Sequence, residues 1–419
     1  MNAGEDQGSV SGSAVEDVVA PLPRVTLQAF CETPGVAATM QAAIADRRMD
    51  KAHARIHMGG PAAAVEAFRS APTPNIIVLE TVADASSLIG HLDTLSESCD
   101  AGTKVIVIGH VNDVQLYRDL IRRGVSEYLI APLGTLDVLK TLSELYVAPG
   151  ARNLGRIIAV MGAKGGVGAS TVSHNVAWAI ARNLDASTVI VDLDIAYGTA
   201  GLDFNQDPPQ GIAEAVFAPE RLDANMLDRL LSRCSDNLAL LAAPAMLDRT
   251  LDLPEDAFEQ LFDLLRATVP CVVLDVPHVW SGWVRRALIS SDEIVVVAGP
   301  ELASLRNAKN LIDLARANRP NDAGPKLVLN QVGMPKRPEI DAAEFSKALG
   351  IDVLTSIPFD AQLFGTAANN GQMIAEVQAG GKIAEAFVQI ASSLTGRGEA
   401  KRSKRSLFEP LVAKLRRKA

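Results

Sequence analysis

The stretch Gly162-Ala163-Lys164-Gly165-Gly166-Val167-Gly168-Ala169-Ser170-Thr171 concentrates residue types suited to holding an anion. Glycines at 165, 166 and 168 let the backbone coil tightly, so that successive N–H groups point inward. A helix opening at Ser170 adds the positive end of its dipole. Such a cradle suits nucleotide phosphates. Ser170 stands where these loops place a hydroxyl on Mg²⁺, with Thr171 beside it. The lysine that ordinarily precedes that hydroxyl and reaches the β and γ phosphates is replaced by Ala169, while another lysine, Lys164, opens the loop. Carboxylates follow at two other places. The run 188–194 ends in Asp192 and Asp194, which alternation puts on the same side of a strand end, and the run 271–275 ends in Asp275. A carboxylate at the C-terminal end of such a strand can hold Mg²⁺ through water.

These groups need elements to carry them. The apolar run 157–161 ahead of the loop and the helical pattern after it read as strand, phosphate loop, helix. The runs 188–192, 271–276, 293–298 and 326–331 read as further buried strands of an α/β domain with a mostly parallel sheet. That domain spans 149–395, entered through a short polar linker at 149–155. Ahead of it, residues 1–23 are small and polar and are expected as a disordered lead.

Between them, 24–148 alternates five short β-rich runs (25–30, 54–58, 75–79, 104–108 and 127–130) with helical stretches. This predicts a small doubly wound domain of flavodoxin-like size. Its closing stretch, Arg123-Gly124-Val125-Ser126-Glu127-Tyr128-Leu129-Ile130-Ala131-Pro132-Leu133, resembles the last strand of response-regulator receiver domains. That resemblance implies a phosphoacceptor carboxylate, a hydroxyl and a lysine at strand ends. Those positions hold Glu80, Gly109 and Ala131, with Glu32 as the acid after the first strand. A lone glutamate without the lysine or the hydroxyl cannot both bind the metal and stabilise a phosphoryl group. The domain therefore reads as a pseudo-receiver, a docking or dimerisation module. Glu80 is expected as a plain surface glutamate, the alternative being mimicry of a permanently phosphorylated state.

The loop, with its early lysine in Lys164-Gly165-Gly166-Val167-Gly168, resembles the deviant phosphate loop of the ParA/MinD superfamily. The resemblance implies a fold of that kind, bound ATP and Mg²⁺, and a sandwich homodimer in which Lys164 crosses to the partner's nucleotide. It also implies roles for single residues. The loop from Gly165 through Gly166, Val167, Gly168, Ala169, Ser170 and Thr171 would hold the nucleotide. Asp194 would position water, with Asp192 in support. Asp275 matches the Walker B position and Pro277 the second switch, while His278 reads as a partly exposed imidazole. Ser170, Asp192 and Asp275 are the metal candidates. Asn330 stands where the family sets an asparagine against adenine, a task its paired donor and acceptor suit. Pro358 and Asp360, ahead of Asn369-Asn370-Gly371, would flank the base.

The alanine in place of the loop lysine, Asp275-Val276-Pro277-His278, and a receiver-like domain in front together resemble the CpaE/TadZ proteins of the Tad/Flp type IV pilus assembly system, over about 24–395. That implies an ATP-dependent localisation or assembly factor recruiting pilus and secretion proteins at the inner membrane, often at a cell pole. Ala169 removes an ammonium that would neutralise charge between the β and γ phosphates, so binding with slow hydrolysis is expected.

Composition bounds the alternatives. The 419-residue chain has 21 % charged residues and a net charge of −9. It contains no apolar run near the roughly 18–20 residues that span a bilayer, and a cytoplasmic location is expected. Four scattered cysteines argue against a disulfide framework or a thiolate metal site. An iron–sulfur carrier is excluded by the missing Cys-x-x-Cys. Residues 397–419 hold nine Lys/Arg against Glu399 and Glu409, so +7 of charge sits in this tail and −16 elsewhere. Its Leu407, Phe408, Leu411, Val412 and Leu415 fit one helical face, so the unit 396–419 reads as either a membrane-surface segment or a solvated tail. The −16 balance weighs against a ParA-like partitioning ATPase on DNA. The absent receiver lysine and hydroxyl weigh against a phosphorylated response regulator.

Overall fold

The structure is a computed structural model and describes residues 19–146, 154–244, 247 and 252–396. Residues 1–18 of the expected lead, most of the expected linker and the basic tail from 397 lie outside the described residues, whereas 19–23 depart from the disorder expected of them: Leu22 is buried in the core and its N–H donates to Arg48 O at 2.8 Å. The chain divides into two compact units, Val19–Leu154 with Asp313–Gly324, and Gly155–Ile312 with the residues from Pro325 onward.

In the first unit β1 (Thr26–Cys31), β2 (His53–Met58), β3 (Ile76–Glu80), β4 (Lys104–Gly109) and β5 (Glu127–Ile130) form a parallel sheet in the order β2-β1-β3-β4-β5. This is the flavodoxin-like order. Alternation along β1 serves two cores. Leu27, Ala29 and Cys31 pack with Met40, Leu139 and Leu142, and Phe30 packs with Ala64, Phe68, Leu88 and Leu120. A parallel sheet is covered on both faces, which is why its strands read as nearly continuous apolar runs. Asp322 also belongs here. Its carboxylate accepts from Arg47 Nε at 2.8 Å and pairs with Arg48.

The second unit contains β6 (Arg156–Gly162), β7 (Thr188–Asp192), β8 (Ser232–Arg233), β9 (Leu238–Leu241), β10 (Cys271–Val276), β11 (Glu293–Ala298), β12 (Lys326–Val332) and β13 (Val353–Pro358). The order is β13-β12-β11-β6-β10-β7-β9-β8, parallel except for β8 against β9. Sequence periodicity marks five of these. It misses β8 and β9, whose two and four residues are too short to show a period, and does not read the Ile-Pro segment of β13 as a strand.

The helix after the loop, Ala169–Asn183, starts one residue earlier than the hydroxyl pattern suggests. It is packed on two sides. Val172, Val176 and Ile180 join Ile158, Val160, Ile190 and Val273 of the sheet, and the same cluster includes Phe387, Ile390 and Leu394 of the helix Lys382–Thr395. Every residue from Val172 to Ala181 is consequently buried, including Ser173, His174 and Asn175. Because β6 lies beside β10, and β10 beside β7, the loop, Asp275 and Asp192 emerge next to one another at the C-terminal edge of the sheet.

Candidate functional site

The loop is shaped by its carbonyls. Asn330 Nδ2 donates to Val167 O at 2.9 Å and Gln331 Nε2 to Gly166 O at 3.0 Å. Asn307 Nδ2 donates to Ala163 O at 2.9 Å, and His278 Nδ1 lies 3.0 Å from Gly162 O. Four side chains thus engage carbonyl oxygens of the loop and its flanks, and the groups suited to meeting an anion are its backbone amides. Gly168, at φ +80, caps the helix, and a Cβ there would sit 2.5 Å from Asn330 Nδ2. No L side chain fits without breaking that tether. Asn330 therefore has a task that sequence reasoning did not assign, holding the loop, and Gln331, Asn307 and His278 share it.

Ser170 and Thr171 stand half-buried in the first helical turn, and Ala169 is half-buried beside them. Lys164, Gly165 and Gly166 are exposed. Lys164 Nζ pairs with Glu301 of the same chain, just after β11, and holds that carboxyl below its usual range. Asn330 comes to the loop, whereas Pro358 closes β13 with an exposed side chain and Asp360 caps the helix Ala361–Asn370, accepting from Leu363 N at 2.9 Å.

The aspartates divide by burial. Asp275 and Asp192 are register partners across β10 and β7 and are both buried. Asp192 is 1 % exposed, its Oδ1 accepts from Asp194 N at 3.0 Å and its Oδ2 from Ala200 N at 3.1 Å. Gly198 packs so closely that a Cβ would lie 2.4 Å from Oδ2. That differs from the open carboxylate expected of a metal ligand: Asp192 braces the segment after β7. Asp194 is half-exposed, and its Oδ1 accepts from Tyr197 N at 3.0 Å. Burial, and then the Asp275 charge, push Asp192 above the usual carboxylate range, against the pull of His174 and two N–H groups.

Sequence reasoning assigns His174 no role. Its imidazole is fully buried, with Nδ1 2.8 Å from Asp203 Oδ2 and Nε2 3.2 Å from Asp275 Oδ2. The second approach has the distance of an ion pair but not the alignment of a hydrogen bond. Burial disfavours the imidazolium, yet Asp203 and Asp275 outweigh it and raise His174 to about 10. The signal available was the setting: polar residues inside a helix whose apolar positions run around the whole circumference.

The residues fit a nucleotide with a divalent cation. The loop is glycine-rich backbone, a hydroxyl stands at Ser170, and the Asp275 carboxyl group emerges at the same edge of the sheet. Among the described residues no group of three or more His, Cys, Asp or Glu has the arrangement of a self-sufficient metal site. A cation here would need phosphate oxygens and water to complete its shell.

The receiver-like unit corrects one expectation. Glu80 is not a surface glutamate; it is 0 % exposed at the end of β3. Its Oε2 accepts from Glu32 N at 2.8 Å and Thr33 N at 2.9 Å, while Oε1 accepts from Thr33 Oγ1 at 2.6 Å and lies 3.1 Å from His110 Nε2. Burial raises its pKa, but these hydrogen bonds prevail and hold the carboxyl below its usual range. The space beside Gly109 is filled by Tyr128: a Cβ at 109 would meet the phenol oxygen at 2.1 Å, and that hydroxyl donates to Val111 O at 2.8 Å. The carboxylate is committed internally and the hydroxyl position is occupied by an aromatic ring.

Among the described residues no helix is long and apolar enough to cross a membrane. The sequence model of a family described as an AAA domain matches residues 155–321. The septum site-determining protein MinD of Bacillus subtilis is 27 % identical over 237 residues, which is 53 % of this chain and 82 % of that protein. The crystal structure of the pilus assembly protein CpaE from Caulobacter crescentus is 46 % identical, covering 31 % of this chain and 98 % of that one, with a TM-score of 0.30. The cell division ATPase MinD of Pyrococcus furiosus, 22 % identical over 58 % of this chain and 99 % of that one, shares the fold with a TM-score of 0.52.

Proposed function

The chain belongs to the CpaE-type proteins of the ParA/MinD ATPase superfamily, and from that premise we propose that it is an ATP-binding localisation and assembly factor for a Tad/Flp-type pilus system. It works as a nucleotide-dependent homodimer that hydrolyses ATP slowly or not at all. The observation carrying this reading is the loop itself: its carbonyls are engaged by Asn330, Gln331, Asn307 and His278, while the position of the phosphate-binding lysine is Ala169.

In this reading the amides of 165–171 bind the phosphates, and Ser170 with Asp275 holds Mg²⁺, Asp275 through water. The bound cation would screen charge on the phosphates. Asp194, half-exposed on the turn after β7, positions water, and Asp192 keeps that turn in place. Asn330 and the segment holding Pro358 and Asp360 border the base. Lys164 leaves Glu301 to reach the nucleotide of a second copy. An exposed ion pair contributes at most about 1 kcal/mol, so the exchange costs little.

Without an ammonium from position 169, the transition state loses a stabilising charge of the kind worth about 3–4 kcal/mol, or 10²–10³ in rate. Calorimetric titration of the full chain with Mg·ATP, paired with a phosphate-release assay, tests this. Measurable binding with release far below that of an ordinary phosphate-loop NTPase is expected. Absence of binding, or turnover at ordinary rates, would contradict it.

A further inference from the structure

His174 joins two segments that the sequence keeps far apart. Its Nδ1 is bonded to Asp203 Oδ2, the last residue of the short helix Ala200–Asp203, and its Nε2 faces Asp275 Oδ2 at the end of β10. The same short helix is anchored at its other end, where Ala200 N donates to Asp192 Oδ2. The Phe204 ring lies 5.5 Å from the imidazole, centroid to centroid, and limits its movement. Ahead of and within this helix are two exposed apolar side chains, Tyr197 at 70 % and Leu202 at 72 %.

We propose that His174 is a positioning residue that couples Asp275 to the 197–203 segment, so that nucleotide and Mg²⁺ at the loop are read out at the surface bearing Tyr197 and Leu202. The inference rests on the nucleotide-binding reading given above. A buried histidine that served packing alone would have both ring nitrogens satisfied. Here one ring nitrogen is well bonded, and the other, fully buried, has a carboxylate within reach but out of line. The Asp275 leg is therefore the one free to re-aim. When a cation claims part of the Asp275 charge, attraction along Nε2 falls, and the ring can follow Asp203. Both ends of the Ala200–Asp203 helix are tied to carboxylates or partners of this cluster, so a small shift of the ring moves the helix as a unit.

The test is hydrogen exchange of the full chain, followed in peptides covering 195–208, with and without a non-hydrolysable ATP analogue and Mg²⁺. Analogue binding is titrated separately on each variant. In the unaltered protein the analogue should change exchange in this segment by about fivefold or more, the low end of ordinary site-to-site coupling. Asp203→Asn removes the charge from the far leg only. It should bind the analogue while its 195–208 exchange no longer responds.

His174→Gln, keeping a donor toward Asp275, and His174→Asn, keeping one toward Asp203, should lose the response in the same way. A purely structural role would raise exchange equally with and without nucleotide and leave the difference intact. If the variants respond as the unaltered protein does, or if the unaltered protein binds the analogue without any change in 195–208, the coupling is refuted. If the unaltered protein fails to bind the analogue, the nucleotide-binding reading falls first and the coupling falls with it. Should the His174 variants fail to fold, Asp203→Asn decides alone, because the Asp203 side chain is 23 % exposed and its change leaves no buried cavity.

Discussion

Glu80 offers the sharpest test of the receiver-like unit, because a buried brace and a surface glutamate predict effects of different size. Glu80→Ala strands the N–H groups of Glu32 and Thr33, each costing about 1–3 kcal/mol when buried without an acceptor, and leaves the Thr33 hydroxyl and His110 without their partner. A total near 4 kcal/mol is expected, about a thousandfold in an opening equilibrium. Glu80→Gln keeps one oxygen for the two N–H groups, and both Thr33 and His110 can turn acceptor to its amide. Only charge assistance is lost, at about 2 kcal/mol.

The chain has two units and is not expected to unfold in one step, so the readout is native-state exchange of the amides in β1, β3 and β4. The pH leg follows from linkage. The native pKa lies below the 4.5 of an unperturbed glutamate, so below that value the unfolded chain binds the extra proton. The stabilisation is complete above 4.5 and fades as pH falls through the native pKa. The gap between the unaltered protein and Glu80→Gln should therefore narrow in acid. A change below about 0.5 kcal/mol for Glu80→Ala, the range of an ordinary surface substitution, would refute the brace.

Other outcomes follow from single positions. Gly109→Ser drives a side chain into the space of the Tyr128 phenol. It should cost about 1–3 kcal/mol through overpacking and turn Tyr128 outward, seen as increased quenching in tyrosine-selective fluorescence; unchanged stability and emission would argue against the filled position. Ala169→Lys restores the ammonium at the first turn of the loop helix and should raise phosphate release by about 10²-fold. No gain would mean that the missing lysine is not what limits the reaction.

Much of this site was legible because its signals are local. The glycine spacing of 165–168 and the strand-terminal Asp192 and Asp275 each sit within a few residues of the element that positions them. What stayed hidden depends on residues far along the chain. Glu80 is buried because Glu32 and Thr33, about fifty residues earlier, point their donors at it. His174 acquires meaning only when β10 and the Ala200–Asp203 helix close around it. For Asn330 the family resemblance implies a base contact and says nothing of the loop. Its bond to Val167 O required knowing that β12 lies two strands from β6 with its end level with the loop. The short β8 and β9 carry too few residues for any period to emerge.

Nucleotide-dependent association of two copies of the chain through the loop is tested most directly by sedimentation of the full chain. The unaltered protein and Lys164→Ala are compared with no nucleotide, with ADP, and with a non-hydrolysable ATP analogue, each with Mg²⁺. A dimer that forms only with the ATP analogue and is lost in Lys164→Ala is the predicted result. An association state indifferent to both nucleotide and substitution would contradict it and leave the loop as scaffold.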